Sequence, residues 1–591
     1  MSAAGGRGNS ASLRLADEVL APLLARLTTL KTSLPEQDRA LLEKMERELA
    51  DLKDVVSRVE ETEKEIRHSF DPIERHIDDL LRAAPTATDW IRSLLSAVDA
   101  QVDIIRTKVR AAYNLSGSDC CREKGGSARH SDAADLARDM EMIRPNPAMR
   151  HLRLAVGGFE ERLRGCVLCL AAFPEGVAIK KRLLIHWWMG EGFVGSSAEG
   201  NRRFAELVDK GFLTPLPKPH CGEIHRCKVV PWVQRHLLAD IARRSAFLDE
   251  DLSRTSRVML QHGGEATPSL KFNPGVRAIY NMSQKYVKLG DGWFAGKKEL
   301  RALQLGQWRH FGPREQIADP NKSHIEVSGM EHFKDLEKCT NLRYISLRGI
   351  SRIRFLPNSI RKLHQLVVLD LRACHDLEEL GQGITKLNRL EYLDLSECHL
   401  LIGIPKGIGR LTKLEVLKGF VIANINCKDP CRLDELTKLE RLRKLSITIG
   451  NMASPAADEF KKLGELKALK SLAIVWGVQP STVEDESLAA NSLPIAAMEF
   501  ALPPGLEKLD LRCFPLPDFQ QWVRPKDVKK LYIRGGNLGT LGDDEDWKVE
   551  VLQLRFLKHF HYDHGRLQRS FRNLKPELTL IHECPNFRAD L

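Results

Sequence analysis

The chain has 591 residues, 43% of them hydrophobic and 29% charged. That is enough apolar material for more than one core and too much for a disordered chain. A net charge of +11 with interspersed signs permits an anionic partner without demanding one. Thirteen cysteines are odd in number and scattered, which excludes a disulfide framework and favours reduced thiols in the cytoplasm or the nucleus.

Met1 to Ser12 is Gly/Ser-rich without an apolar run, so residues 1–12 read as a disordered lead and no secretory signal is expected. Ser2 stands where N-myristoylation needs Gly. No stretch approaches the ~18 apolar residues of a membrane span. Residues 13–114 read as an N-terminal helical bundle. Leu20, Leu23, Leu24, Leu27 and Leu30 sit at helical spacing, and Ser33-Leu-Pro35-Glu36 reads as a stop and restart. Leu42, Met45, Leu49, Leu52, Val56, Val59, Ile66, Phe70, Ile73, Ile77 and Leu80 then make a coiled-coil-like seam, broken at Asp71-Pro72. A last helix runs from about Thr88 to Tyr113. Short connections favour an antiparallel bundle, with self-association through the seam as the other use of these residues. Residues 115–150 are a polar, Gly/Ser-rich linker with room for one short helix from Asp132 to Met142.

Residues 151–255 are compact again. Cys166-Val-Leu-Cys169, Phe173-Pro174-Glu175, the run Leu183 to Phe193 and Phe204 to Leu213 predict three helices followed by a β-hairpin, which describes a winged-helix domain. From residue 256 to 591 the chain reads as a leucine-rich-repeat horseshoe. Leu342-x-x-Ile345-x-Leu347, Leu366-x-x-Leu369-x-Leu371, Leu390-x-x-Leu393-x-Leu395 and Leu414-x-x-Leu417 each start 24 positions after the one before. Alternate residues of a strand face opposite sides, so three leucines converge on one interior only if the backbone bends after each short strand. Stacked neighbours bury that interior. Cys374 and Cys398 are expected to turn inward at the bend. Looser blocks extend the array from Val276 to Leu554. The expected fold class is thus α plus an α/β solenoid.

Two of these segments carry a resemblance. Cys-x-x-Cys-x-x-x-Phe-Pro-Glu at Cys166–Glu175, then Leu184-Ile185-x-x-Trp188-x-x-Glu191-Gly192-Phe193, is similar to the winged-helix region of plant coiled-coil NLR (nucleotide-binding, leucine-rich-repeat) disease-resistance proteins. The helical N-terminus and the repeats resemble the other ends of that family. The resemblance implies a nucleotide-binding domain between bundle and winged helix, where this chain has only its linker. No G-x-x-x-x-G-K-[ST] occurs, and Gly292-Trp-Phe-Ala-Gly296-Lys297-Lys298 has neither the spacing nor the hydroxyl of a phosphate loop. The family's Met-His-Asp triplet would fall near Val229-Val230-Pro231, without imidazole or carboxylate. Neither nucleotide nor any other cofactor is expected. The resemblance also implies docking of an acidic bundle motif on repeat arginines. Asp78 and Asp79 are the nearest match, with Arg343, Arg348, Arg352, Arg354 and Arg372 as receivers.

No catalytic constellation has local support, and no enzyme activity is expected. Cys166, Cys169, Cys221 and Cys227 with His220 and His225 can be drawn as a zinc site, but two of the thiols lie on an apolar helix and read as core, so no metal is expected. His559, His561, Asp563 and His564 read as strand surface. The residues between the repeat leucines form the candidate protein-binding face: Tyr344, Val368 and Tyr392; Asp370, Asp394 and Lys418; Arg348, Arg372 and Phe420; then Lys530, Tyr532 and Arg534. Tyr and Arg on a concave sheet suit protein recognition. The functional expectation is an adaptor of plant defence whose repeats bind a protein, be it an immune receptor, another host protein or a pathogen protein. The alternative is a nuclear regulator that contacts DNA through the helix near Lys180 to Trp188.

Overall fold

The structure, a computed structural model, describes residues 156–588 with breaks at 219–220, 231–232, 235–255, 261–274, 291, 309–324, 425–426, 451–452, 454, 457, 478–499, 520–526 and 543–546. The expected bundle, the linker and Asp78 and Asp79 lie outside the described residues.

The first part is a small helical module closed by a hairpin. Helix α1 (Glu161–Leu168) runs into a 3-10 turn (Cys169–Ala172), and strand β1 (Ile179–Lys180) leads into α2 (Lys181–Glu191). Helix α3 (Ser197–Asp209) precedes β2 (Leu213–Lys218) and β3 (Cys221–Val229), which pair antiparallel, with β1 on the other side of β3. The ends of the helices are set by their sequence. Gly192 takes the left-handed conformation (φ 86°) that terminates α2. The Ser196 hydroxyl accepts from the Glu199 amide at 3.2 Å to start α3, while Glu199 reaches back to the Gly195 amide at 2.7 Å. Cys166, Cys169 and Cys227 are buried among Leu163, Trp188 and Phe204 in the module core. Burial pushes all three thiols up, Cys227 to about 12, so they are inert packing groups at neutral pH.

The second part is a leucine-rich repeat solenoid built on a thirteen-stranded sheet. Its strands are β4 (Arg257–Leu260), β5 (Ala278–Asn281), β6 (Ala302–Gln304), β7 (Tyr344–Ser346), β8 (Val368–Asp370), β9 (Tyr392–Asp394) and β10 (Val416–Val421). They continue as β11 (Lys444–Ile449), β12 (Ser471–Trp476), β13 (Lys508–Phe514), β14 (Lys530–Gly536), β15 (Val551–Arg555) and β16 (Leu580–His582). All pair in parallel with their neighbours in chain order. The repeat register follows the 24-residue period directly: Tyr344, Val368, Tyr392 and Val416 are partners across four strands. Leu366, Leu369 and Leu371 are all fully buried, as a backbone that bends after each strand requires. Short 3-10 segments such as Asn358–Lys362 and Gln382–Lys386 form the return arm of each coil.

The bend itself has a backbone signature. Gly349, Ala373 and Glu397, one per repeat, all have positive φ (71°, 59° and 65°). Only the first is glycine, so the other two hold a conformation that costs about 1 kcal/mol. Ladder hydrogen bonds run through two of these bends: the amides of Gly349 and Ala373 donate to the Arg372 and Ser396 carbonyls at 2.9 and 2.8 Å. Cys374 and Cys398 follow, both buried, their thiols donating to the carbonyls of Leu347 and Leu371 at 3.2 Å.

Two features depart from the sequence reading. Strands β4 and β16 extend the sheet beyond the repeat blocks seen in the sequence, which had placed no strand at Arg257 or at Leu580. A bulge also interrupts the register of β10 between Leu417 and Phe420, where Gly419 has φ 71° and its Cα lies against the backbone of Leu395 and Ser396. The bulge turns Phe420 into the core opposite Ile447, so Phe420 is not a surface residue as its spacing implied.

Candidate functional site on the repeat sheet

The early half of the sheet face is occupied by the chain itself. Helix α2 lies on strands β4 to β9, and the reason is readable in one helical stripe. Arg182, His186, Trp187, Gly190 and Glu191 recur at the spacing that shares a helix face, and each meets the sheet. The Trp187 ring stacks on Tyr280 with centroids 3.9 Å apart, and its indole N–H donates to Gln304 Oε1 at 2.8 Å. The Tyr344 hydroxyl donates to the same oxygen at 3.2 Å. Gly190 sits directly on the Tyr344 side chain. His186 packs edge-on against Tyr392, centroids 4.4 Å apart, and the Arg182 guanidinium lies 5.6 Å from the Tyr392 ring centre. Small residues at Ala278 and Ala302, in register with Tyr344, leave room for the indole.

One buried ion pair fastens the helix end. Glu191 Oε1 accepts from Arg257 Nε at 2.7 Å and from the Tyr280 hydroxyl at 3.2 Å, and Oε2 accepts from Arg257 Nη2 at 2.8 Å. The Glu191 side chain is 0% exposed and that of Arg257 6%, so the pair is desolvated and survives because it is bidentate and further hydrogen-bonded. At the other end of the stripe, Asp394 accepts from the Tyr392 hydroxyl at 2.6 Å and from Lys418 Nζ at 3.0 Å. Burial pushes Asp394 upward, but Lys418 and Arg182, with those hydrogen bonds, hold it well below the usual carboxylate range. Neighbouring Asp370 is raised, by burial and then by the Asp394 charge. Burial lowers Lys418 to about 8 against the pull of Asp394.

The sequence reading is thereby corrected at its centre. Tyr344, Val368, Tyr392 and Asp394 do face away from the leucines, but they are buried beneath α2 rather than presented to solvent. An alternating pattern says which side of a sheet a residue faces and not what covers that side. Arg348 and Asp370 are half-buried at the edge of the same seat, and Arg372 pairs with Glu397 at 2.5 Å. Two other proposed receivers of the acidic bundle motif are engaged within the solenoid, Arg352 with Glu326 at 2.6 Å and Arg354 with Glu378 at 2.8 Å. The helix offered as a DNA reader is α2, whose stripe is buried in the sheet and cannot line a major groove in this arrangement.

Residues that carry this seat were missed in the sequence: Trp187, Gln304, Tyr280 and above all Arg257. The available signal was Glu191, a carboxylate at the end of an otherwise apolar Trp-Trp-Met-Gly run, since a buried charge demands a partner.

The late half of the face is different. Lys508, Lys530 and Arg512, Arg534, Arg555 come from adjacent strands in register. The Lys508 ammonium lies 4.4 Å from the centre of the buried Tyr532 ring. Asp510 takes Arg512 at 3.2 Å and Arg534 at 3.7 Å. The tip of the module hairpin reaches this half, where Glu223 meets Lys530 at 2.6 Å, and that contact lowers Glu223.

Among the described residues no group of three or more His, Cys, Asp or Glu could hold a metal ion, and no helix is long and apolar enough to cross a membrane. Lys297, in the glycine-containing string, turns its ammonium onto the Trp293 carbonyl and ring.

Residues 321–541 match the family model described as a leucine-rich repeat region. The chain is 29% identical over 461 residues to Disease resistance RPP13-like protein 4 of Arabidopsis thaliana, covering 75% of this chain and 51% of that protein. It is 25% identical over 222 residues to Disease resistance protein RGA4 of Oryza sativa subsp. japonica and 26% over 226 residues to Probable disease resistance protein At4g27220 of Arabidopsis thaliana. Those matches cover 35% and 36% of this chain and 20% and 21% of the relatives. The chain therefore spans about half the length of the first relative and a fifth of the other two. Among solved structures, the Leptospira interrogans LRR protein LIC12759 aligns over 54% of this chain and 86% of its own, at 18% identity and a TM-score of 0.27. The chain thus carries a leucine-rich repeat region and is similar, over three quarters of its length, to a plant disease-resistance protein.

Proposed function

We propose that this chain is a non-enzymatic recognition component of plant defence, a coiled-coil NLR relative without a nucleotide switch, whose repeats bind a protein partner. The module of residues 151–255 is taken as a winged-helix domain, and the cytoplasm or nucleus as the place of action. The observation that carries the reading is the division of the sheet face: α2 covers strands β4 to β9, leaving the arginines of the late strands, Arg512, Arg534 and Arg555, outside its footprint. Similarity to disease-resistance proteins supports the biological setting. The lack of a phosphate-loop motif in the sequence, with Lys297 turned onto its own backbone, supports the absence of a nucleotide cycle.

Purification of the tagged full chain from healthy and infected leaf tissue tests this reading, with bound nucleotide and crosslinked protein measured on the same sample. The expected result is a protein crosslinked to the repeats and no stoichiometric adenine nucleotide. Retention of ADP or ATP at near one per chain would sink the switch-free reading. Absence of any crosslink to the repeats in both tissues would sink the recognition reading.

A further inference from the structure

The late half of the sheet face carries a row of cations. Arg512, Arg534 and Arg555 stand in one row across β13, β14 and β15, at the roughly 4.8 Å spacing of neighbouring strands. His582 continues the row on β16. Lys508 and Lys530 stand in register four residues upstream of Arg512 and Arg534. Among the described residues, Asp510 is shared by Arg512 and Arg534, and Glu223 takes Lys530. The Nε–H groups of Arg534 and Arg555 are buried with no hydrogen-bond partner. No acceptor among the described residues of the solenoid takes either of these N–H groups. Burial lowers Arg534 against the pull of Asp510, and the charges of Arg512 and Arg555 add to that lowering.

Beside the row stands an exposed aromatic. Phe556 is 50% exposed, at φ 58°, with its amide donating to the His582 carbonyl at 3.0 Å and its ring 5.8 Å from the imidazole. We propose that Arg512, Arg534 and Arg555 with Phe556 form the docking surface for an acidic peptide segment of a partner protein, its carboxylates taken by the arginine row and an apolar side chain resting on Phe556. This names the kind of partner and rests on the recognition reading above. Arginine clusters recognise acidic motifs through charge-assisted, bidentate bonds. A free oxyanion would leave Phe556 unused. A nucleic acid would have to lay its phosphates beside Asp510 and Glu223, on a row only three arginines long.

The experiment is fluorescence anisotropy with the full chain and a fluorescein-labelled twelve-residue peptide of Glu and Asp with one central Phe. Arg534→Gln/Arg555→Gln is expected to weaken binding at least tenfold and Arg534→Glu/Arg555→Glu to abolish it. Arg361→Glu/Lys386→Glu, the same charge change on the return arms, should alter it less than twofold. Melting temperatures of the Gln variant and the parent should agree, which separates lost binding from lost folding. Equal binding by parent and Gln variant would overturn the inference. So would tighter binding of a twelve-nucleotide single strand, or displacement of the peptide by stoichiometric pyrophosphate. A tissue-derived protein crosslinked equally by parent and Gln variant would leave the recognition reading intact and remove this surface from it.

Discussion

Gly190 offers a substitution whose sign depends on whether α2 rests on the sheet. In a helix exposed to solvent, Gly→Ala stabilises by about 0.8–1.0 kcal/mol. Here a β-carbon at Gly190 would lie 2.6 Å from the Tyr344 Cβ and 3.4 Å from that of Ala302. A Cβ cannot rotate away, so helix and strand must separate. Overpacking of this kind costs about 1–3 kcal/mol, and the shortness of the contact argues for the upper half of that range. Subtracting the helix gain leaves a net loss of about 1–2 kcal/mol in the opening free energy of α2. Amide exchange followed by mass spectrometry on peptides covering Lys181–Glu191 should therefore run roughly 5- to 30-fold faster in Gly190→Ala than in the parent. Slower or unchanged exchange would refute the seating of α2 on β6 and β7.

Three further outcomes are expected. Glu191→Leu leaves Arg257 buried without a counter-charge and should lower stability by about 3–5 kcal/mol, whereas Glu191→Leu/Arg257→Met should recover most of it; urea midpoints decide between them. Burial, then the charges of Arg182 and Lys418, holds His186 well below its ordinary value of 6.5, with only Asp394 opposing. The unfolded chain therefore takes up the proton first, and the contribution of neutral His186 is complete above pH 6.5 and lost as the pH falls, at up to about 1.4 kcal/mol per pH unit. His186→Gln should flatten that slope in urea titrations between pH 6.5 and 5. Leu369→Ala, at a fully buried position in β8, should cost about 2–5 kcal/mol, with exchange rising first in the coils that flank it; protection confined to unchanged levels there would contradict the stacked interior.

The solenoid was legible because its signal is repeated. A 24-residue period with three convergent leucines admits few backbones, and Leu366, Leu369 and Leu371 went where the period required. Legibility failed where one residue changed the geometry. Gly419 inserts a bulge and carries Phe420 from the face into the core, an event no period can announce. The candidate face failed for another reason. Tyr344, Val368 and Tyr392 read as solvent-facing because their covering element, α2, lies more than a hundred residues earlier in the chain. Only a charge in an apolar helix, Glu191, hinted that something distant must answer it, and Arg257 lay at the very start of the repeat region, ahead of the first leucine block. On the late strands the repeat spacing picks out Lys530, Tyr532 and Arg534 but not Arg555, and Tyr532 is buried with Lys508 over its ring rather than exposed.

The seat of α2 has a consequence for inheritance. Positions such as Tyr344, Val368 and Tyr392 answer to Trp187 and His186, so a change on one side requires a matching change on the other. Substitutions at the early strands should then travel as co-varying pairs and accumulate slowly between sister lineages. Arg555 carries no such internal obligation among the described residues, so changes there should be tolerated without a matching change elsewhere.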